Sequence, residues 1–157
     1  MPVHEIDPVY DENSKILILG SFPSVVSREV KFFYGHPRNR FWKVLSALYG
    51  EKEPETIDEK KRFLLRNHVA VWDVIASCEI EGSSDSSIRN IEVNDLGKIL
   101  KGTKVDRIFT NGSTAYKLYR KYLEQSTGLE AIPLPSTSPA NASCSLERLI
   151  EEWKIIL

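Results

Sequence analysis

Two short loops hold the side chains of this 157-residue sequence whose types and spacing suit chemistry on a bound ligand. The first opens Gly20-Ser21-Phe22-Pro23-Ser24-Val25-Val26-Ser27 and runs on to Phe33-Tyr34-Gly35-His36-Pro37-Arg38-Asn39-Arg40-Phe41-Trp42. The second is Leu134-Pro135-Ser136-Thr137-Ser138-Pro139-Ala140-Asn141. Small and hydroxyl-bearing residues let backbone approach a ligand closely and supply N–H and O–H donors. The first loop lacks the Gly-Lys-Ser/Thr of a P-loop. Asn39 stands just before an apolar helical pattern, where asparagine is a favoured cap. Ser136, Thr137 and Ser138 read equally as turn formers.

Charge is more informative by position than in sum. The net charge of −1 does not advertise a polyanionic partner. Yet between positions 28 and 43, Arg28, Lys31, Arg38, Arg40 and Lys43 stand against Glu29 alone. Phe32, Phe33, Tyr34, Phe41 and Trp42 are interleaved with them. Cations attract phosphate and flat rings offer surfaces for bases. The plainer reading is a helix start with core aromatics and solvated charges, and composition alone favours it. Cys78 and Cys144 fit no zinc spacing, and His4, His36 and His68 make no metal triad. No metal or other cofactor is expected. No apolar run is long enough to span a bilayer, and the polar start of the chain is no secretory signal, so a cytoplasmic protein is the default.

The elements that must position the loops follow from periodicity. Lys15 to Gly20 reads as a strand buried on both faces. A helix beginning near Asn39 carries Phe41, Leu45, Leu48 and Tyr49 on one stripe. Thr56 and Glu59 form a capping-box pattern for a second helix through Asn67. His68 to Val74 is a second strand, and residues 79–90 a polar loop. Val93, Leu96, Ile99 and Leu100 mark a short helix ended by Gly102. Val105 to Thr110 is a third strand, and Asn111 is placed to cap the helix that follows. Ala131 to Leu134 is a fourth strand, and a last helix carries Leu146, Leu149, Ile150 and Trp153. Strands alternating with helices predict one three-layer α/β/α domain over residues 1–157, with a four-stranded, mostly parallel sheet. Ligands bind beyond the carboxyl ends of such strands, which brings both loops to one site.

Together the three motifs resemble the uracil-DNA glycosylase superfamily, most closely its hypoxanthine-DNA (deoxyinosine) glycosylase family. The carriers are the Gly-Ser-Phe-Pro-Ser loop, the segment from Tyr34 to Trp42, and the loop from Leu134 to Asn141. Mismatch-specific uracil glycosylases have a related Pro-Gly-Asn-Arg-Phe-Trp stretch, whose asparagine corresponds to Asn39. Phe22 stands where other families carry Asp or Asn, and Ser136 where many carry His or Asn. The resemblance therefore gives the water-handling role to Asn39.

It implies a monofunctional enzyme that hydrolyses the N-glycosidic bond of a deaminated base, hypoxanthine foremost, in double- or single-stranded DNA. A neutral amide orients water through its carbonyl oxygen, a gain in positioning rather than proton abstraction. Gly20, Ser21, Phe22 and Pro23 would line the base pocket, Phe33 or Tyr34 would form its aromatic wall, and Asp73 would accept from hypoxanthine N1–H. Ser24, Ser27, Arg38, Arg40, Ser136, Thr137, Ser138, Ala140 and Asn141 would hold DNA. A monomer is expected. Three other readings remain open: a uracil or mismatch glycosylase, a non-catalytic damaged-DNA binding module, and a small-ligand nucleotide-binding domain.

Overall fold

The computed structural model describes residues 3–157. In chain order its elements are β1 (Ile16–Gly20), α1 (Val25–Val30), α2 (Phe41–Tyr49), α3 (Ile57–Arg66), β2 (Val69–Asp73), β3 (Ile75–Glu79), β4 (Arg89–Val93), α4 (Gly97–Gly102), β5 (Arg107–Asn111), α5 (Ser113–Tyr122), α6 (Glu124–Thr127), β6 (Ala131–Leu134) and α7 (Leu146–Trp153). The central sheet has the order β2-β1-β5-β6, and every pair in it is parallel.

Side chains alternate across a strand, and β1 shows what that does here. Ile16 and Ile18 join one core with Phe41, Leu45, Phe63 and Trp153, from α2, α3 and α7. Leu17 and Leu19 join the opposite core with Ile99 and Tyr119, from α4 and α5. Both faces are covered, which is why β1 is apolar at every position before Gly20. The expected three-layer architecture is therefore the one observed. The capping box at α3 is also present, with Thr56 Oγ1 accepting from Glu59 N and Glu59 Oε2 accepting from Thr56 N.

Four local expectations need correction. The loop from Ser21 to Arg38 contains α1, whose N-cap is Ser24. The stretch after β2 is no open loop but an antiparallel hairpin, β3 with β4, set apart from the main sheet. Val93 ends β4, so the helix at 97–102 is shorter than expected. Asn111 does not cap α5: Gly112, at φ 98°, is the N-cap residue and gives no side-chain cap bond.

The chain before β1 does structural work. Val9 and Val71 exchange backbone hydrogen bonds of 3.0 Å, and Val3 bridges Ser77. The segment thus covers the open side of β2, which would otherwise expose unpaired backbone groups. Among the described residues no helix is long and apolar enough to cross a membrane.

Candidate active site

Gly20, Asp73 and Asn111 end β1, β2 and β5, and the second loop leaves β6 beside them. One pocket opens over these strand ends. Both loops border it: Gly20 to Ser24, Ser27, Phe33, Tyr34 and Asn39 from the first, Ser136 to Ser138 from the second. The topology thus delivers the expected juxtaposition.

The two loops are tied by a directional chain of hydrogen bonds. Asn111 Nδ2 donates to Thr137 Oγ1 at 3.0 Å, and Thr137 N donates to Asn111 Oδ1 at 3.0 Å. Thr137 Oγ1 then donates to Asn39 Oδ1 at 2.8 Å, and Phe41 N donates to the same oxygen at 3.0 Å. A backbone N–H can only donate, so the oxygen of the Asn39 amide must face the helix start. This corrects the expected cap: the N-cap of α2 is Arg40, without a side-chain bond, and Asn39, one residue earlier, closes a turn onto the first helical N–H. It also corrects the expected use of the carbonyl oxygen: both of its lone pairs are engaged, and the amide's free end is Nδ2. Arg40 N donates to Thr137 O, so this N–H of the helix start is also taken up within the protein.

Asp73 sits on the pocket floor, 3% exposed. Its Oδ2 meets His4 Nε2 at 2.8 Å, a partner that nothing in sequence spacing announced. Its Oδ1 lies so near Gly20 that a Cβ there would collide with it; the same Cβ would stand 3.1 Å from the Tyr34 hydroxyl. Only glycine lets β1 end at this point. The Tyr34 hydroxyl is buried and has no hydrogen-bond partner. Burial, and then the charge of Asp73, push its phenol well above the ordinary tyrosine range against a smaller opposing effect of the nearby Asn111 side chain, so it stays a protonated donor.

Tyr34 holds a left-handed backbone conformation at φ 52°, costly for a bulky residue. Two contacts hold it there. Its ring stacks on Phe41 at 3.9 Å between centroids, and its carbonyl accepts from Trp42 Nε1 at 3.2 Å. One face of Tyr34 is thus already covered, and the residue gives the pocket its hydroxyl. Phe32, Phe33, Phe41 and Trp42 are core residues, so the interleaved aromatics follow the plainer reading. Phe33 keeps a place in the pocket lining though only 2% exposed.

Several expected DNA contacts turn out to be internal braces. Ser27 is buried; it donates N–H to Ser24 Oγ and accepts from Gly35 N, holding the first loop together. Ser24 spends its hydroxyl on Ser27. Thr137 is fully buried in the chain just described. Ser136 Oγ accepts from Ser138 N, Ser138 Oγ accepts from Ala140 N, and Asn141 Nδ2 donates to Ser136 O, so these side chains shape their own loop. Arg40 donates to the carbonyls of Cys144, Asn141 and Ser138, clamping the second loop from within. Arg38 and Ala140 are exposed, and Arg38 has no carboxylate partner among the described residues.

Sequence reasoning missed the pocket's outer wall. Ser83 and Asp85 line it from the turn between β3 and β4. That turn leans on the first loop: Val25 N donates to Ser83 Oγ at 2.9 Å and Arg28 Nη2 to Gly82 O at 2.6 Å. Ser21 Oγ donates to Asp85 Oδ1 at 3.0 Å. Burial raises the Asp85 carboxyl, Ser21 and Thr114 oppose the rise, and the charge of Asp73 adds to it. The signal for this wall was weak, since a serine-rich polar stretch reads as a solvated loop.

A buried acceptor, a buried orphan donor and a positioned amide suit a small planar polar ligand whose edge must be matched. The architecture and pocket are those of an α/β/α domain that binds at its strand ends. A solution NMR structure from Methanosarcina acetivorans, described as a proposed uracil DNA glycosylase, superposes with a TM-score of 0.83 at 36% identity, covering 96% of this chain and 93% of that one. The family model of the uracil DNA glycosylase superfamily matches residues 8–155, and the chain belongs to that superfamily. A Methanosarcina acetivorans relative named hypoxanthine DNA glycosylase is 38% identical over 150 residues, 94% of this chain and 93% of its own. A Methanosarcina barkeri relative of the same name is 38% identical over 138 residues, 85% of each chain.

Two outcomes follow from this geometry. Arg40→Ala should cost about 3 kcal/mol, read as a lower denaturant midpoint, because three carbonyls lose a charged donor. Asn39→Asp retains the acceptor for Phe41 and Thr137 but removes the N–H donor. Its single-turnover excision of deoxyinosine should fall about 100-fold or more. A rate near wild type would return the active role to the oxygen.

Proposed function

We propose that this chain, a single domain acting as a cytoplasmic monomer, is a monofunctional DNA glycosylase that removes hypoxanthine from double- or single-stranded DNA without metal or cofactor. The observation that carries the reading is the pocket itself, where Asp73 Oδ1 and the unpartnered Tyr34 hydroxyl share the floor and Asn39 stands at the wall. The relatives named for hypoxanthine support the choice of base.

A base inside a duplex is out of reach, so the target nucleotide must first be everted into the pocket. Asp73 accepts from the base N1–H on the floor. Gly20, Ser21, Phe22, Pro23 and Phe33 enclose the ring. Breaking the C1′–N bond sends its electron pair to the departing base and leaves an oxocarbenium-like sugar. Asn39 is the catalytic residue: Nδ2, held rigid because Oδ1 is fixed, donates to the base as negative charge develops. A donor prearranged where charge appears lowers the barrier without reorganisation. Water then adds at C1′, and the proton it sheds neutralises the departed base anion, leaving free hypoxanthine and an abasic sugar hydroxyl. Hypoxanthine leaves more readily than an intact purine, so little base catalysis is required.

Phosphate is held at the rim. Arg38, which precedes the pocket-lining Asn39, and Ala140, two residues beyond the pocket-lining Ser138, are both exposed and take this role. Arg38→Ala should weaken binding to all sequences alike and lower the salt slope of log K by about one. The reading as a whole is tested by incubating the protein with labelled duplexes and single strands carrying deoxyinosine, deoxyuridine or deoxyxanthosine, followed by alkali. Deoxyinosine should give alkali-labile abasic product fastest, with no change on adding a chelator. Cleavage confined to deoxyuridine would refute the substrate, and tight binding without any abasic product would refute the activity.

A further inference from the structure

His4 reaches Asp73, which lines the pocket, from a segment that belongs to neither loop. Val3 bridges Ser77, His4 N donates to Ala76 O at 2.6 Å, and Trp72 Nε1 donates to Ile6 O at 3.3 Å. The His4 and Asp73 side chains are only 2% and 4% exposed. Around the imidazole stand Phe22, Phe33 and Trp72, at ring separations of 6.1, 6.0 and 6.2 Å.

The imidazole's two nitrogens are assigned by their partners. Ile6 N donates to His4 Nδ1 at 3.3 Å, so Nδ1 carries no proton. The ring N–H is then on Nε2, which points at Asp73 Oδ2. Asp73 is thereby obliged to accept at Oδ2. Its other oxygen is turned to the end of β1, where the Tyr34 hydroxyl also lies. The floor therefore presents one acceptor and one donor within reach of the same point.

We infer that His4 is a positioning residue that fixes the hydrogen-bonding polarity of the pocket floor, so that Asp73 Oδ1 and the Tyr34 hydroxyl select a base edge pairing a ring N–H with a carbonyl. The inference rests on the proposed eversion of a base into this pocket. Adenine carries an amino donor at C6 and a bare acceptor at N1. Deamination replaces the amino group with a carbonyl and puts a proton on N1, inverting both positions. Asp73 accepts from the new N–H and Tyr34 donates to the new carbonyl. Against adenine the same pair sets lone pair against lone pair and N–H against O–H, and strands two buried polar groups. Uracil and xanthine share the selected edge, and cytosine does not. The substrate class set by the floor is thus the products of base deamination, relative to the parent amino bases. Guanine shares the edge as well, so its exclusion falls to the walls around its 2-amino group.

The fixed imidazole makes a sharp prediction for Asp73→Asn. With His4 Nε2–H still donating, the new amide must turn its oxygen to His4 and its N–H to the ligand. The acceptor becomes a donor. The test is single-turnover excision from duplexes holding deoxyinosine, deoxyuridine or purine 2′-deoxyriboside, which has neither the N–H nor the carbonyl. Affinity for a tetrahydrofuran abasic analogue and thermal melting serve as controls of folding and DNA binding. Asp73→Asn should lose about 100-fold or more on deoxyinosine and deoxyuridine, and far less on purine deoxyriboside, with abasic affinity unchanged. His4→Leu should lose about tenfold or more on the two keto bases only. His4→Gln, which restores an N–H, should recover much of that rate. Equal losses on all three substrates, losses matched by weaker abasic binding, or a wild-type deoxyinosine rate in Asp73→Asn would overturn the inference. A wild-type protein that excises none of the three would overturn the glycosylase reading itself.

Discussion

The buried hydroxyl of Thr137 is the point on which the site's geometry turns. It accepts from Asn111 at the end of β5 and donates to Asn39 ahead of α2. Its own backbone closes a second bond to Asn111 and a third, through its carbonyl, to Arg40. A threonine can do this because its hydroxyl donates once and accepts as well, giving the chain of bonds a direction. The direction settles which end of the Asn39 amide is bound and which is free. Two loops separated by about a hundred positions are thereby locked in register before any ligand arrives. In the proposed mechanism such preorganisation is what lets a neutral amide act at all, since a mobile donor would forfeit much of its effect to reorientation.

Apolar patterning made the frame of the molecule legible. β1, β2, β5 and β6 are short apolar runs ended by turn residues, α2 and α3 carry clear stripes, and α3 has its capping box. The rule that ligands sit beyond parallel strand ends then placed both loops correctly. What escaped was set by contacts distant in sequence. The β3–β4 hairpin is built from polar, irregularly paired residues such as Arg89, Asn90 and Glu92, with no alternation to betray it. Arg40 and Ser27 have the chemistry of phosphate ligands, yet three-dimensional neighbours consume them as braces. His4 gave no signal, because its partner lies 69 positions away and its neighbours in sequence are unremarkable.

The same contrast separates the pocket's two carboxylates. Asp73 is enclosed, and a directed N–H meets one of its oxygens, the kind of partner a buried polar group requires. Asp85 stands at the outer wall on a hairpin turn, with a serine hydroxyl for company. One carboxylate is fixed by the sheet and a covering segment, the other by a turn that leans on the first loop.

The segment that covers the side of β2 has a consequence for biogenesis. Its residues leave the ribosome ahead of their partners, since the strand they pair with and the aspartate they engage are made more than sixty residues later. During synthesis the early segment has nothing to dock on. The floor becomes complete only when the β2–β3 region has formed and the beginning of the chain folds back across it. Nascent chains therefore hold β1 and the first loop before the floor beneath them can close, and that closure spans a long range in sequence.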